Sequence, residues 1–208
     1  MLNFGIYKPG VLSCKNMIKK NVLLSEPIYN ENEKKQLLEW ARVAIETYLQ
    51  EGWVIQAITN NQMLKRKVGI FVTLWKSNEL RGCIGLMETD KPLNETVVDM
   101  AIEAAVKDNR FKPLVLNELP EIKIEISILS PLHKIKNIQE IELDKHGVMI
   151  IQGKKSGVFL PEVAKRENWD LGTMLEALCI EKAGLPANAW MEKNSDIYIF
   201  TSTTFREK

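Results

Sequence analysis

Two apolar runs joined by a short polar turn are the feature that most constrains this chain. Residues 68–75 are rich in Val, Phe, Thr and Trp, a polar turn occupies residues 76–79, and residues 80–86 are apolar again. This pattern is typical of a β-hairpin. Because side chains alternate between the faces of a strand, Arg81 and Cys83 are expected on one face with Gly85. The opposite face would then carry Leu80, Gly82, Ile84 and Leu86.

The second of these runs contains the candidate functional site, LRGCIG at residues 80–85, which we call the LRGCIG motif. A guanidinium beside a thiol favours the reactive thiolate, so Cys83 is a candidate nucleophile and Arg81 its activating group. Gly82, Ile84 and Gly85 are candidate binding residues, since glycines let a ligand approach closely. A structural interpretation stands beside this one. Cysteine is often buried, glycines in strands often mark bulges, and arginines often form structural ion pairs.

Two residues outside the LRGCIG motif are further candidates. His146 precedes Gly147 at the entrance of a second predicted hairpin, and histidine has an unperturbed pKa close to neutral, so it is a candidate general base. Glu125 lies on a strand with strict apolar alternation, residues 121–129, where a carboxylate could approach Arg81. The competing interpretations are a hydrogen-bonded turn histidine and a solvated or cross-strand carboxylate.

The remaining pattern predicts an α+β fold with a mixed, largely antiparallel sheet and flanking helices. Asn30 and Glu33 form a capping-box pattern before a helix that ends near Gly52, and Pro92 begins a second amphipathic helix. We expect one domain over residues 31–208, preceded by an extension over residues 1–30 that packs on the main lobe. The main lobe would combine both ends of the chain, with a smaller lobe at about 90–130 and a single C-terminal strand over residues 197–205.

Composition and motif absences exclude several function classes. The net charge of +1 provides no field to attract nucleic acid, so nucleic-acid binding is only a remote alternative. No apolar run approaches the roughly 20 residues needed to cross a bilayer. Three widely spaced cysteines suggest neither disulfides nor a metal site, and they fit the cytoplasm. Phosphate loops, hydrolase elbows and closely spaced cysteine ligands for a cluster are missing, so we predict no cofactor.

Several ordered segments resemble one known family. The LRGCIG motif after residues 71–74 resembles the signature of the AMMECR family, named for Alport syndrome, mental retardation, midface hypoplasia and elliptocytosis. The resemblance covers about residues 33–206, and the first thirty residues match nothing in the family. Glu162 stands where bacterial members are expected to have glutamine. Further similar segments are Arg110-Phe111 with Pro113-Leu114, Glu118-Leu119-Pro120, residues 124–131, Lys145-His146-Gly147, residues 159–163 and residues 182–186.

This resemblance implies a two-lobed α+β domain whose activity is not settled. Prokaryotic members resemble components of a system with a Memo-like protein and a radical SAM enzyme, so a companion role is the family-level expectation. The favoured hypothesis is a non-catalytic companion with a binding cleft at the LRGCIG motif. The alternative is an enzyme that uses Cys83, activated by Arg81 and served by His146, as a nucleophile or redox thiol.

Overall fold

A computed structural model describes residues 28–208 and the backbone of Ile6–Tyr7. The rest of the predicted N-terminal extension lies outside the described residues. The chain divides into two compact units, residues 1–129 with 203–208, and residues 130–202. In chain order the strands and α-helices are β1 (Ile6–Tyr7), α1 (Glu31–Glu51), β2 (Ile70–Lys76), β3 (Glu79–Leu86), α2 (Leu93–Val106), β4 (Ile122–Leu129), β5 (His133–Lys134), β6 (Gly147–Gln152), β7 (Lys155–Phe159), α3 (Glu162–Glu167), α4 (Leu171–Ala177), β8 (Asp196–Phe200) and β9 (Ser202–Arg206).

The α1 helix begins and ends where its sequence signals predict. Asn30 accepts a hydrogen bond from the backbone N–H of Glu33, and the Glu33 carboxylate accepts one from the backbone N–H of Asn30. This capping box satisfies two N–H groups that a helix otherwise leaves free. Gly52 ends the helix in the left-handed conformation, with φ of 76°.

The first unit is built on a five-stranded sheet in the order β1-β3-β2-β4-β9. β2 pairs antiparallel with both β3 and β4, and β1 pairs parallel with β3. The turn between β2 and β3 places Ser77 and Asn78 at φ of 50° and 64°, as a two-residue hairpin turn requires. The alternation predicted for residues 121–129 is confirmed. One face of β4 packs in the core of this unit, and its buried residues are Ile122, Ile124, Ile126 and Ile128.

Helices α1 and α2 pack on each other and cover this apolar sheet face. One face of α2 carries small and apolar residues, and this face is buried as predicted. Its alanines let the helix approach the strands closely. α2 contacts both β2 and β3. Its buried side chains include Val97, Met100, Ala101, Ala104 and Ala105.

The second unit has a four-stranded sheet in the order β5-β8-β6-β7. β6 and β7 form the predicted second hairpin, with antiparallel register from Val148–Phe159 to Gln152–Lys155. The helical segment begins at Asp170, whose carboxylate accepts a hydrogen bond from the N–H of Thr173. It continues from α4 as a π-helical segment, Leu178–Ala183. These elements enclose their own apolar core.

The α+β class and the largely antiparallel sheets are confirmed, but two boundaries differ from the predictions. The predicted single C-terminal strand is wrong: Thr201 separates β8, in the four-stranded sheet, from β9, in the five-stranded sheet. The smaller unit is residues 130–202, whereas we predicted a smaller lobe at 90–130. The physical reason is that α2 and β4 bury their apolar faces in the core of the first unit. Within the described residues, no helix is long and apolar enough to span a membrane.

Candidate functional site

The LRGCIG motif forms most of β3, and a β-bulge within it sets the direction of its side chains. Leu80 pairs with Trp75 and Gly82 pairs with Leu74, so Arg81 is the extra residue of the bulge. Beyond the bulge, Gly82, Ile84 and Leu86 share one face as predicted, and the structure shows that this face packs on the core and on α2. Leu80 instead follows its partner to the opposite face. The simple alternation expected for residues 80–86 therefore fails at Leu80, on the far side of the bulge.

The guanidinium of Arg81 binds a carboxylate and not the thiol. Its Nη2 and Nε donate to Glu118 at 2.9 and 3.3 Å, and its Nη1 donates to the carbonyl oxygen of Lys112 at 3.0 Å. The hydrogen bond from Arg81 is the main cause that holds the pKa of Glu118 at about 2. Lys76 adds a second cation at 3.3 Å from the same carboxylate. The expected contact of Arg81 with Cys83 is thus replaced by a bidentate ion pair.

Cys83 is buried, with 1% of its surface exposed. Its Sγ lies 3.1 Å from the hydroxyl oxygen of Thr73, its partner on β2. Burial raises the pKa of the Cys83 thiol to about 11, although the hydrogen bond with Thr73 and the charge of Arg110 act in the opposite direction. This direction is opposite to the one expected for an activated thiolate, because desolvation penalises the charged form more than a neighbouring cation favours it.

The backbone of Cys83 is held by an ion pair that the sequence analysis did not identify. Asp108 Oδ2 accepts a hydrogen bond from the Cys83 N–H at 2.8 Å, and Arg110 Nη2 donates to the Cys83 carbonyl at 3.2 Å. Two further bonds, of 2.9 and 2.6 Å, join Arg110 to Asp108. Burial acts to raise the pKa of Asp108, but the bonds from Arg110 and Cys83 outweigh it and the pKa is lowered. The only indication of this role in the sequence was that Arg110 belongs to the segment Arg110-Phe111, which resembles the AMMECR family.

The two motif glycines are required by close packing. A Cβ at Gly82 would lie 2.3 Å from the carbonyl oxygen of Ala104 in α2. A Cβ at Gly85 would lie 2.4 Å from the carbonyl oxygen of Ile70 and from the ring of Phe71. Neither distance is possible for a real side chain, so both positions need glycine for the approach of backbone and ring atoms that belong to the protein itself.

Glu125 lies in the same cross-strand row as Cys83. It pairs with Thr73, which in turn pairs with Cys83, so one residue of the central strand separates the carboxylate from the thiol. The charge of Glu125 contributes to the raised pKa of Cys83. The sequence thus predicted correctly that Glu125 faces away from the core. The structure brings it to the row of Cys83, while the carboxylate bound to Arg81 is that of Glu118.

His146 belongs to the second unit and is 5% exposed. Its Nδ1 accepts a hydrogen bond from the backbone N–H of Glu142 at 3.0 Å, so the neutral ring carries its proton on Nε2. Nε2 is buried and makes no hydrogen bond with the described residues. Burial is the main cause that lowers the pKa of His146. Within the described residues, no group of three or more His, Cys, Asp or Glu side chains could hold a metal ion.

Comparison with known proteins finds a matching family model, related archaeal proteins and a similar solved structure. The family model AMMECR1 matches residues 38–205. Protein MK0488 of Methanopyrus kandleri is 41% identical over 185 residues, which are 85% of this chain and 89% of the relative. Protein MJ0810 of Methanocaldococcus jannaschii is 38% identical, with coverage of 82% and 88%. The crystal structure of the uncharacterized protein PH0010 from Pyrococcus horikoshii matches with a TM-score of 0.77 at 36% identity, covering 83% of this chain and 90% of that one.

Proposed function

Since the chain belongs to the AMMECR1 family, and since its motif thiol is buried, we propose that it is a non-catalytic companion protein. Its binding surface is centred on the LRGCIG motif. The observation that carries the proposal is the state of Cys83, a thiol that is 1% exposed and has a pKa of about 11. At neutral pH such a group is protonated and out of reach of a substrate, which disfavours nucleophilic chemistry.

The accessible groups at this surface belong to the segment that the motif holds in place. Arg81 fixes the carbonyl of Lys112, and the exposed apolar side chains of Val115 and Leu116 follow directly. The side chain of Arg110 is 19% exposed, and its guanidinium carbon lies 5.4 Å from the centre of the Phe111 ring. Cationic edges beside apolar side chains are typical of protein interfaces.

The partners in this proposal are a Memo-like protein and a radical SAM enzyme, and their support is the family resemblance alone. We place the companion in the cytoplasm, where reduced thiols are the rule. The free thiols of Cys83 and Cys179 support this compartment.

The thiol is tested by labelling the native protein with iodoacetamide across pH and quantifying each cysteine by mass spectrometry. We expect Cys83 to react at least about 100-fold more slowly at pH 8 than in the urea-denatured protein, because its thiolate fraction is small and the site is covered. Cys179, which is also buried with a raised pKa, is the internal comparison. Rapid labelling of Cys83 with an apparent pKa below about 8.5 would refute the proposal and support the enzyme alternative.

The partners are tested by co-expression of the three proteins of one organism followed by size-exclusion chromatography. We expect a stable complex that survives Cys83→Ser and is weakened by Val115→Asp, since Val115 is 52% exposed. Met191→Asp is the matched control, because Met191 is 64% exposed and belongs to the second unit. A complex that Val115→Asp and Met191→Asp weaken equally, or the absence of any complex, would contradict the proposal.

A further inference from the structure

A second candidate binding site lies in the first unit, along α2 and away from the LRGCIG motif. A cavity of about 570 Å³ is lined by residues 54–59 and by the first two turns of α2, and a hydrogen bond from Asn94 to the Ala57 carbonyl joins the two walls. Its helix side is lined by Asn94, Glu95, Val98 and Asp99. We call this cavity with its two walls the α2 groove. Its volume is within the range of sites that hold a ligand or a short stretch of peptide.

The wall opposite α2, residues 54–59, is a stretch of chain outside any helix or strand. Within the described part of the chain, residues 53–59 make no backbone-to-backbone hydrogen bond. Among the described residues, only the carbonyl of Ala57 in this stretch accepts a side-chain hydrogen bond, which comes from the Nδ2 of Asn94. Ala57 is buried between the exposed residues Gln56 and Ile58, the alternation of an extended strand. A strand with free N–H and C=O groups is a ready template for pairing with another chain.

Exposed apolar side chains lie along this stretch of backbone. Trp53, Val54 and Ile58 are 68%, 56% and 81% exposed. Single exposed apolar residues are common, but three within six residues beside a cavity form the kind of patch that marks an interaction site. Tryptophan in particular is enriched where proteins bind proteins.

The polar lining of the groove selects among possible ligands. Two lysines, Lys65 and Lys91, are balanced by the carboxylates of Glu95 and Asp99, and Lys91 lies 2.7 Å from Asp99. A lining with two positive and two negative side chains does not attract a polyanion such as nucleic acid. It suits a peptide main chain, which is neutral and both donates and accepts hydrogen bonds. Asn94 adds a side-chain amide that already binds main chain in this groove, since its Nδ2 donates to the carbonyl oxygen of Ala57.

We propose that the α2 groove binds an extended peptide segment of a partner protein. The segment pairs through its main chain with residues 54–59 and places alternate apolar side chains against Val54, Ile58 and the cavity. The wall formed by residues 54–59 spans about 20 Å, which exceeds the length of a small metabolite and matches a strand of about six residues. This proposal is independent of the one made for the LRGCIG motif.

The test starts from a phage-displayed library of random 12-residue peptides, selected on the full-length protein. Ile58→Asp serves for counter-selection, because it places a charge on an exposed position of the groove without disturbing the core. Enriched peptides are synthesised and their Kd values measured by fluorescence anisotropy. We expect binding at least tenfold weaker to Ile58→Asp and within twofold of wild type for Ile180→Asp, a matched control at a residue 55% exposed in the second unit.

Two further readouts separate strand pairing from simple apolar adhesion. Hydrogen exchange by mass spectrometry should slow in residues 54–59 when the peptide binds. N-methylation of alternate peptide residues should weaken binding at least tenfold in one register and have little effect in the other, because only alternate N–H groups face the paired strand. Failure to enrich peptides over the Ile58→Asp counter-selection, protection elsewhere, or equal effects of both N-methyl registers would overturn the proposal.

Discussion

Replacement of Gly82 by alanine tests whether the LRGCIG motif is shaped by the packing of β3 on α2. The added Cβ would lie 2.3 Å from the Ala104 carbonyl oxygen, and this distance must rise to at least 3.0 Å. The obstructing atom belongs to the backbone of α2, near the C-terminal end of this buried helix, so no side-chain rotation relieves the contact. α2 must move away from β2 and β3 instead, and a gap of this size loses a substantial part of the dispersion energy between the packed surfaces.

The expected destabilisation is about 2 kcal/mol. Overpacking a core typically costs about 1–3 kcal/mol, and a rigid backbone obstruction belongs in the upper part of that range. Replacing glycine by alanine in a strand returns roughly 0.5–1 kcal/mol through lower chain entropy in the unfolded state. Urea denaturation followed by circular dichroism measures the difference, and hydrogen exchange should show faster opening of peptides from β3 and α2.

Gly172→Ala is the matched control for this experiment. Gly172 lies in α4, and a Cβ there would meet only Asp170 Oδ1 at 3.7 Å, which is an ordinary contact. Alanine is a better helix former than glycine, so this variant should be as stable as wild type or more stable by up to about 1 kcal/mol. If Gly82→Ala were within about 0.5 kcal/mol of wild type, the argument from close packing would be refuted.

Three further predictions concern the charged and titratable groups. Glu118→Gln should cost about 1–2 kcal/mol at pH 7, after allowance for solvent screening of the pair with Arg81. Because the pKa of Glu118 is held at about 2, the difference in unfolding free energy between this variant and wild type should be complete above pH 4.5. It should disappear as the pH falls towards 2, and urea denaturation measures it at each pH. Asp108→Ala should cost about 3 kcal/mol by the same assay, since it leaves the Arg110 guanidinium and a buried strand N–H unpaired; a loss below about 1 kcal/mol would contradict this role. The lowered pKa of His146 predicts stability that is complete above about pH 6.5 and declines as the pH falls, and His146→Gln should flatten this decline between pH 7 and pH 5.

The elements that sequence reasoning predicted well are those whose signals are local. The capping box of α1 lies within four residues, Asn30 to Glu33. The end of the helix is marked by a single residue, Gly52, which adopts the left-handed conformation that favours glycine. The alternation of β4 likewise records burial directly in the residue order. These features depend on contacts between neighbours in sequence, so the sequence displays them.

The features that were missed depend on partners far along the chain. Arg81 has its carboxylate partner 37 residues away at Glu118, and Cys83 has the Asp108 carboxylate 25 residues away. A bulge of one residue then exchanges the faces on either side of it, and residues 80–82 carry no signal that distinguishes a bulged strand from a regular one. The desolvation that raises the pKa of Cys83 is equally a property of the folded core. For these reasons the motif could be located from sequence while its chemistry could not.

Helix α2 connects the two proposed surfaces and limits how they can affect each other. Its first two turns form one wall of the α2 groove, while the carbonyl of Ala104 near its other end rests against Gly82 with no room for even a methyl group. Asn94 fixes the near end to residue 57, and the Leu93 and Asn94 N–H groups donate to the carbonyls of Arg66 and Leu64. A helix held at both ends cannot slide towards β3 without steric overlap, since packed cores resist gradual deformation. We therefore infer that α2 acts as a rigid wall, and that occupation of the groove leaves the geometry of Cys83 unchanged.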